Sequence, residues 1–156
     1  MRYYFFLLAF FVASICFAQK TVDINKTIDG ITFVKIETGW SESTNTPGNM
    51  FPEFRLMVKN SSGATIKDLG YEQSNISYSF LENDVIVYED YSAIHNREFS
   101  PWIPNTAKYI CPHKVSFVNF KEKFQTKTLS VEIYYHGKKV CKVNIVPELV
   151  SWDYCY

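Results

Sequence analysis

Residues 129–145 read LSVEIYYHGKKVCKVNI. Up to Tyr135 the apolar side chains fall on every second residue, at Leu129, Val131, Ile133 and Tyr135. After a break at His136-Gly137-Lys138 they do so again at Cys141, Val143 and Ile145. A period of two on either side of a glycine-bearing break is the pattern of a β-hairpin with one face buried. That face also decides the register. A two-residue loop at His136-Gly137 would set Ile133 opposite Val140 but Val131 opposite Lys142, mixing core with solvent. A three-residue loop sets Ile133 opposite Cys141, Val131 opposite Val143 and Leu129 opposite Ile145, with Glu132 beside Lys142 on the wet side, and is the expected one.

The same alternation recurs upstream. Phe54, Leu56 and Val58 alternate with Arg55, Met57 and Lys59, and Asn60-Ser61-Ser62-Gly63 supplies turn chemistry after them. Ile76, Tyr78 and Phe80 alternate with Ser77 and Ser79, and Glu82-Asn83-Asp84 turns that strand into a second one over Val85 to Glu89. A first strand is expected over Ile31 to Thr38, then a long loop from Gly39 to Pro52. Short strands are expected around Thr65 to Leu69, Lys108 to Cys111 and Val115 to Phe120. Pro101 and Pro104 bracket Trp102-Ile103 in a segment that suits a crossover or an edge, since proline removes a ladder donor.

Seven or eight short strands with no sustained helical period point to an all-β chain folded as a two-sheet antiparallel β-sandwich, the arrangement in which two apolar faces close on each other. The succession of a Phe-Arg-Leu-Met-Val-Lys-Asn strand, a polar turn, a hairpin, a proline-bounded crossover and a final Tyr-Tyr-His-Gly-Lys-Lys hairpin resembles bacterial immunoglobulin-like and fibronectin-type-III-like domains over roughly residues 30–146. The resemblance implies an immunoglobulin-like sandwich. It leaves function open, because such folds carry adhesins, receptors, chaperones and enzymes alike.

At the other end of the chain, Arg2 precedes an apolar run from Tyr3 to Ile15, and Cys16-Phe17-Ala18 places small residues where a signal peptidase reads. Residues 1–18 are therefore expected to be a cleaved export signal, and 19–156 a single β-sandwich domain in the periplasm or secreted beyond it. Lipid anchoring at Cys16 is disfavoured by Ile15, where lipoprotein signals carry a small residue. The apolar run is shorter than the ~20 residues of a membrane-spanning helix, and no later segment offers one. Without the signal the chain carries 15 basic and 16 acidic residues. With no clustered positive charge, nucleic acid is not an expected partner.

Few residues bear chemistry. Cys111, His113, His136 and Cys141 supply two sulfurs and two imidazoles that could surround a tetrahedral metal, but the spacing fits no standard site and Cys141 is expected to face the core. No metal or other cofactor is expected. Of the three cysteines past the signal, Cys111 and Cys155 are the favoured disulfide pair. His95, His113 and His136 are the only imidazole bases, and no Gly-x-Ser-x-Gly elbow accompanies them, so a catalytic triad is not expected. Trp40, Trp102 and Trp152 all fall in segments read as loop, crossover or tail, where an exposed ring can stack on a sugar or anchor a protein. Asn25, Asn60 and Asn75 each begin an N-glycosylation acceptor pattern. The expectation is an exported, non-catalytic binding module that recognises an envelope or extracellular protein, or a glycan, through loops and sheet edges. The alternative is a small envelope enzyme or metal-handling protein using the Cys/His set.

Overall fold

The structure is a computed structural model and describes residues 21–42, 46–66, 76–90, 101–111 and 129–151. They form eight strands: β1 (Thr21–Ile28), β2 (Ile31–Glu42), β3 (Met50–Asn60), β4 (Ile76–Glu82), β5 (Val85–Asp90), β6 (Ala107–Ile110), β7 (Leu129–Tyr135) and β8 (Lys138–Asn144). Two antiparallel sheets result, one ordered β1-β2-β3-β6 and the other β5-β4-β7-β8. The sandwich expected from the sequence is the fold of the chain. The hairpins β1–β2, β2–β3, β4–β5 and β7–β8 stay within a sheet, whereas β6 returns to β3 and β7 to β4, the crossed connections of a Greek key.

The two inner faces meet in an aromatic seam. Phe33 of β2 lies 5.4 Å from Tyr135 of β7, and Phe54 of β3 lies 5.2 Å from Tyr78 and 6.4 Å from Phe80 of β4. β2 therefore faces β7 and β3 faces β4. Each tilted or edge-on ring pair adds roughly 0.5–1.5 kcal/mol beyond its buried area. β3 shows the underlying alternation along its whole length, with Phe54, Leu56 and Val58 buried and Arg55, Met57 and Lys59 only partly so.

The β1–β2, β4–β5 and β7–β8 hairpins close through two-residue turns whose central residues have positive φ: Asp29-Gly30 (50° and 80°), Asn83-Asp84 (49° and 67°) and His136-Gly137 (49° and 71°). Such turns match the right-handed twist of the strands they join. The last of them corrects the three-residue loop expected at 136–138. Tyr135 pairs with Lys138 and Tyr134 with Lys139, then the register shifts so that Ile133 meets Cys141, Glu132 meets Lys142 and Val131 meets Val143. A bulge at Val140 absorbs the odd residue. The cross-strand partners are the expected ones, Val140 is buried beside them, and the turn remains tight.

Two further expectations are corrected at the other end of the sandwich. The strand expected to stop at Thr38 runs on to Glu42, and the supposed loop from Gly39 to Pro52 contains four ladder pairs, from Gly39 with Glu53 to Glu42 with Met50. Pro52 sits at a level of β3 that β6 does not reach, where proline is tolerated. In addition, β1 precedes the first expected strand. Its alternation is interrupted by a bulge at Asn25, whose φ is 49°, and most of its residues are partly or fully exposed, as befits an edge.

Past the pair of Thr21 with Glu37, residues after β8 bond to β2. Trp40 N–H donates to the Glu148 carbonyl at 2.8 Å, and Val150 N–H donates to the Trp40 carbonyl at 2.7 Å. Thr38 Oγ1 guides the chain there, donating to the Asn144 carbonyl and accepting from Val146 N–H. Gly39 is required at this crossing, since a Cβ on it would lie 2.3 Å from Val150 Cγ1. Of the strand expected over Thr65 to Leu69, the described part holds a bridge between Ile66 and Trp102, and residues 67–69, like the strand expected over Val115 to Phe120, lie outside the described residues.

Candidate functional site

Two of the three tryptophans expected as ligand-binding rings belong to the core. Trp40 and Trp102 are each 1 % exposed. Trp40 points inward from β2 under the 148–150 strap, because the strand continues through it. Trp102 is held by Ile66 on both backbone groups, and its Nε1–H donates to the Thr106 carbonyl at 3.1 Å. Trp152 lies outside the described residues.

Asn60 completes the plug around Trp102. Its side-chain amide donates to the carbonyls of Ala64 (2.8 Å) and Trp102 (2.9 Å), and its Oδ1 accepts from Ser62 N–H and Oγ–H. Fully buried and engaged on both amide atoms, Asn60 is not an accessible glycosylation acceptor.

Of the Cys/His set, Cys111, His136 and Cys141 are described, and these three do not form a group placed to hold a metal ion. Cys111 is disulfide-bonded, so its sulfur offers no thiolate, while Cys141 is a free, partly buried thiol. The expected partner of Cys111, Cys155, and the candidate ligand His113 both lie outside the described residues. Burial pushes the Cys141 thiol up to about 11, away from the ionised form that binds metal or attacks an electrophile. His136 sits in the β7–β8 turn, stacked on Tyr135 with ring centroids 4.0 Å apart, its Nδ1 3.3 Å from Asp29 Oδ2. Lys138 Nζ approaches the same carboxylate at 3.0 Å, tying this turn to the β1–β2 turn. Among the described residues, no group of three or more His, Cys, Asp or Glu side chains is placed to hold a metal ion.

One buried carboxylate lies on the outer face of the first sheet. Glu37 accepts from Arg55 Nε–H at 2.6 Å, from Lys35 Nζ at 2.9 Å and from the Tyr109 hydroxyl at 3.1 Å. Burial raises its pKa, but the bonds from Lys35 and Arg55 outweigh burial and hold the carboxyl below its ordinary range. The Arg55 guanidinium also lies 4.5 Å from the centre of the Tyr109 ring. With both oxygens occupied by cations and a hydroxyl, Glu37 cross-links β2, β3 and β6 and is not poised as an acid or base.

What remains is a surface. Val85, Ile86 and Val87 are 65 %, 51 % and 38 % exposed and consecutive on β5, the edge of the second sheet. Their placement follows from the turn and a bulge. Glu82 pairs with Val85 across Asn83-Asp84, and Leu81 pairs with Ile86. Phe80 then pairs with Tyr88, leaving Val87 as the extra residue. The bulge turns Tyr88 into the core, 6.3 Å from Tyr78 and 6.2 Å from Phe80, and leaves the three aliphatic residues before it outside. Lys142 Nζ pins the tip through Asp84 at 2.5 Å. Residues 82–90 carry Glu82, Asp84, Glu89 and Asp90 and no cation. The other exposed large aliphatics among the described residues, Ile103 and Leu149, stand singly, as is ordinary on a protein surface. Three in a row on a sheet edge are not. The sequence carries a sign of this in the run Val85-Ile86-Val87-Tyr88, which does not alternate although the strand it pairs with does.

Fold and surface together define an antiparallel β-sandwich with an apolar, acid-flanked edge strand. Comparison with protein-family models, with curated proteins and with solved structures gives no match.

Proposed function

We propose that this chain is an exported, non-catalytic interaction module whose recognition surface is the edge strand β5 and whose partner is an envelope or extracellular protein. The observation that carries the reading is the contiguous exposure of Val85, Ile86 and Val87 on a sheet edge. Natural sandwiches shorten, charge or cover such edges, and one left apolar is a template for another chain. Export rests on residues 1–18, whose expected cleavage point lies two residues before β1 begins. Among the described residues no helix is long and apolar enough to cross a membrane. A glycan is the weaker ligand, because Trp40 and Trp102 give their rings to the core and present no stacking platform.

The test uses the mature chain immobilised against an extract of the native envelope, with Ile86→Lys as the comparison. A charge at this exposed position changes folding stability by no more than about 0.5 kcal/mol. It should nevertheless weaken retention of the captured protein by tenfold or more, as expected for a central contact worth about 2 kcal/mol. Equal retention by both chains overturns the proposal.

A further inference from the structure

We infer that the C-terminal strap is a redox latch: a Cys111–Cys155 disulfide, formed after export, holds residues 146–150 against β2, and its reduction lets them leave. The inference rests on the export part of the proposed function and is independent of β5.

The cysteine inventory gives the pair. Cys111 is disulfide-bonded, Cys141 is a free thiol, and the chain's other two cysteines are Cys16 and Cys155. Cys16 departs with residues 1–18, so a mature chain beginning at Gln19 keeps Cys155 as the partner. Reach allows the bond. Ile110 pairs with Leu56 and Leu56 with Ile36, so Cys111 leaves β6 at the level of Glu37, and the strap meets β2 three residues further on, at Trp40. The strap and β6 flank β2 and β3, a separation of about 14 Å across the sheet and about 10 Å along it, or about 17 Å in all. Cys155 stands five residues beyond Val150. Five extended residues span about 17 Å, and a disulfide adds about 5–6 Å between its Cα atoms.

The latch governs an edge. Past the pair of Thr21 with Glu37, the strap bonds β2: Trp40 donates to the Glu148 carbonyl and accepts from Val150 N–H, and Val146 N–H donates to Thr38 Oγ1. Val150 fills the space beside Gly39. These few bonds lie near a chain end, where opening costs least. A covalent tie just beyond them confines the tail once they break and so favours their re-forming. With the strap gone, Trp40 and its neighbours on β2 would offer their backbone to other chains, the hazard that a covered edge avoids. The step is a thiol–disulfide exchange. On closing, the Cys111 and Cys155 thiols lose two protons and give two electrons to an external disulfide, whose S–S bond becomes two thiols as the new S–S bond forms. A dithiol reverses it. Cys141, partly buried and with its thiol pushed up to about 11, is a poor competitor.

The test compares the mature chain, oxidised and reduced with dithiothreitol, by amide hydrogen exchange and by peptide mapping without reductant. The map of the oxidised chain should join Cys111 to Cys155. Reduction and Cys155→Ser should each speed exchange of the Trp40 and Val150 amides about tenfold or more, with Val131 and Ile133 unchanged. A map joining Cys111 to Cys141, or a native product with every thiol free, overturns the inference. So does exchange at Trp40 and Val150 that is the same with and without the bond. Exchange that rises equally at Val131 and Ile133 makes the bond a staple of the whole domain and overturns the latch as well. If the native product begins at Gln19 and any of these results is found, the latch falls and export stands. If it retains residues 1–18 with Cys16 bonded to Cys111, both fall.

Discussion

Trp40→Ala separates a core residue from a surface ring more sharply than any other substitution in the chain. The side chain is 1 % exposed. Its backbone pairs with Pro52 of β3 on one side and with the 148–150 strap on the other. Truncation removes the apolar transfer energy of an indole and leaves a void that the surrounding ladders hold open, a loss of about 3–5 kcal/mol. Against a total stability of roughly 5–15 kcal/mol this is a large fraction. For a domain of this size it lowers the midpoint of thermal unfolding by about 10–20 °C. Urea unfolding followed by far-UV circular dichroism measures it without relying on tryptophan emission. The midpoint should fall while the slope against denaturant stays constant, and Trp40→Phe should lose less. A Trp40→Ala chain within about 0.5 kcal/mol of the parent would behave as a surface variant and refute the core placement.

Gly39→Ala should destabilise the chain by pushing Val150 off β2, and Val150→Ala in the same chain should restore part of the loss, a coupling that a double-mutant cycle in urea detects. Glu37 has a folded pKa held below its unfolded value of ~4.3, so its contribution is complete above that pH and disappears as the pH falls through the folded value. The stability difference between the parent and Glu37→Gln should accordingly be widest near neutrality and shrink below about pH 4, whereas a difference independent of pH contradicts the Lys35–Glu37–Arg55 arrangement. Cys141, pushed up to about 11 and partly buried, should react with iodoacetamide at pH 8 only after urea unfolding, with peptide mapping identifying the labelled residue. Intact mass of the native product should correspond to a chain beginning at Gln19 without lipid, and an acylated species beginning at Cys16 would contradict cleavage after Ala18.

The parts of the fold legible in the sequence are those where one face is buried and the period of two is unbroken. Leu129 to Ile145 gave both the pairing and the cross-strand partners, since only one register keeps Val131, Ile133, Val143 and Ile145 on the same side. The turn is not legible in the same way, because a bulge and a longer loop shift register by the same one residue, and alternation alone does not separate them. β1 is hidden in the sequence for a related reason. Its bulge at Asn25 breaks the period, although Asp29-Gly30 is a strong signal for a two-residue hairpin turn. The stretch from Gly39 to Pro52 reads as a loop from its Gly, Ser, Thr and Pro content, yet tertiary packing makes strand of Gly39, which Val150 approaches too closely for any larger residue.

The candidate site was less legible than the fold. Val85 to Glu89 reads as a hairpin strand, but whether a sheet edge is covered depends on which strands meet across the chain, and that is set by the long-range pairings β3–β6 and β4–β7. The tryptophans misled for the converse reason. Trp102 looks exposed between two prolines and is buried because Asn60 and Ile66, about forty residues earlier, close around it.

A photo-crosslinking amino acid placed at position 86 in the native producing cells, with a second at Lys59 as control, measures the central claim most directly. Lys59 lies on β3 of the opposite sheet, away from the β5 edge. The account predicts a discrete crosslinked protein from position 86, absent from position 59 and lost when Val85→Lys is added. Crosslinks of equal yield and identity from both positions, or none from position 86 under conditions where the chain is folded and exported, would contradict it.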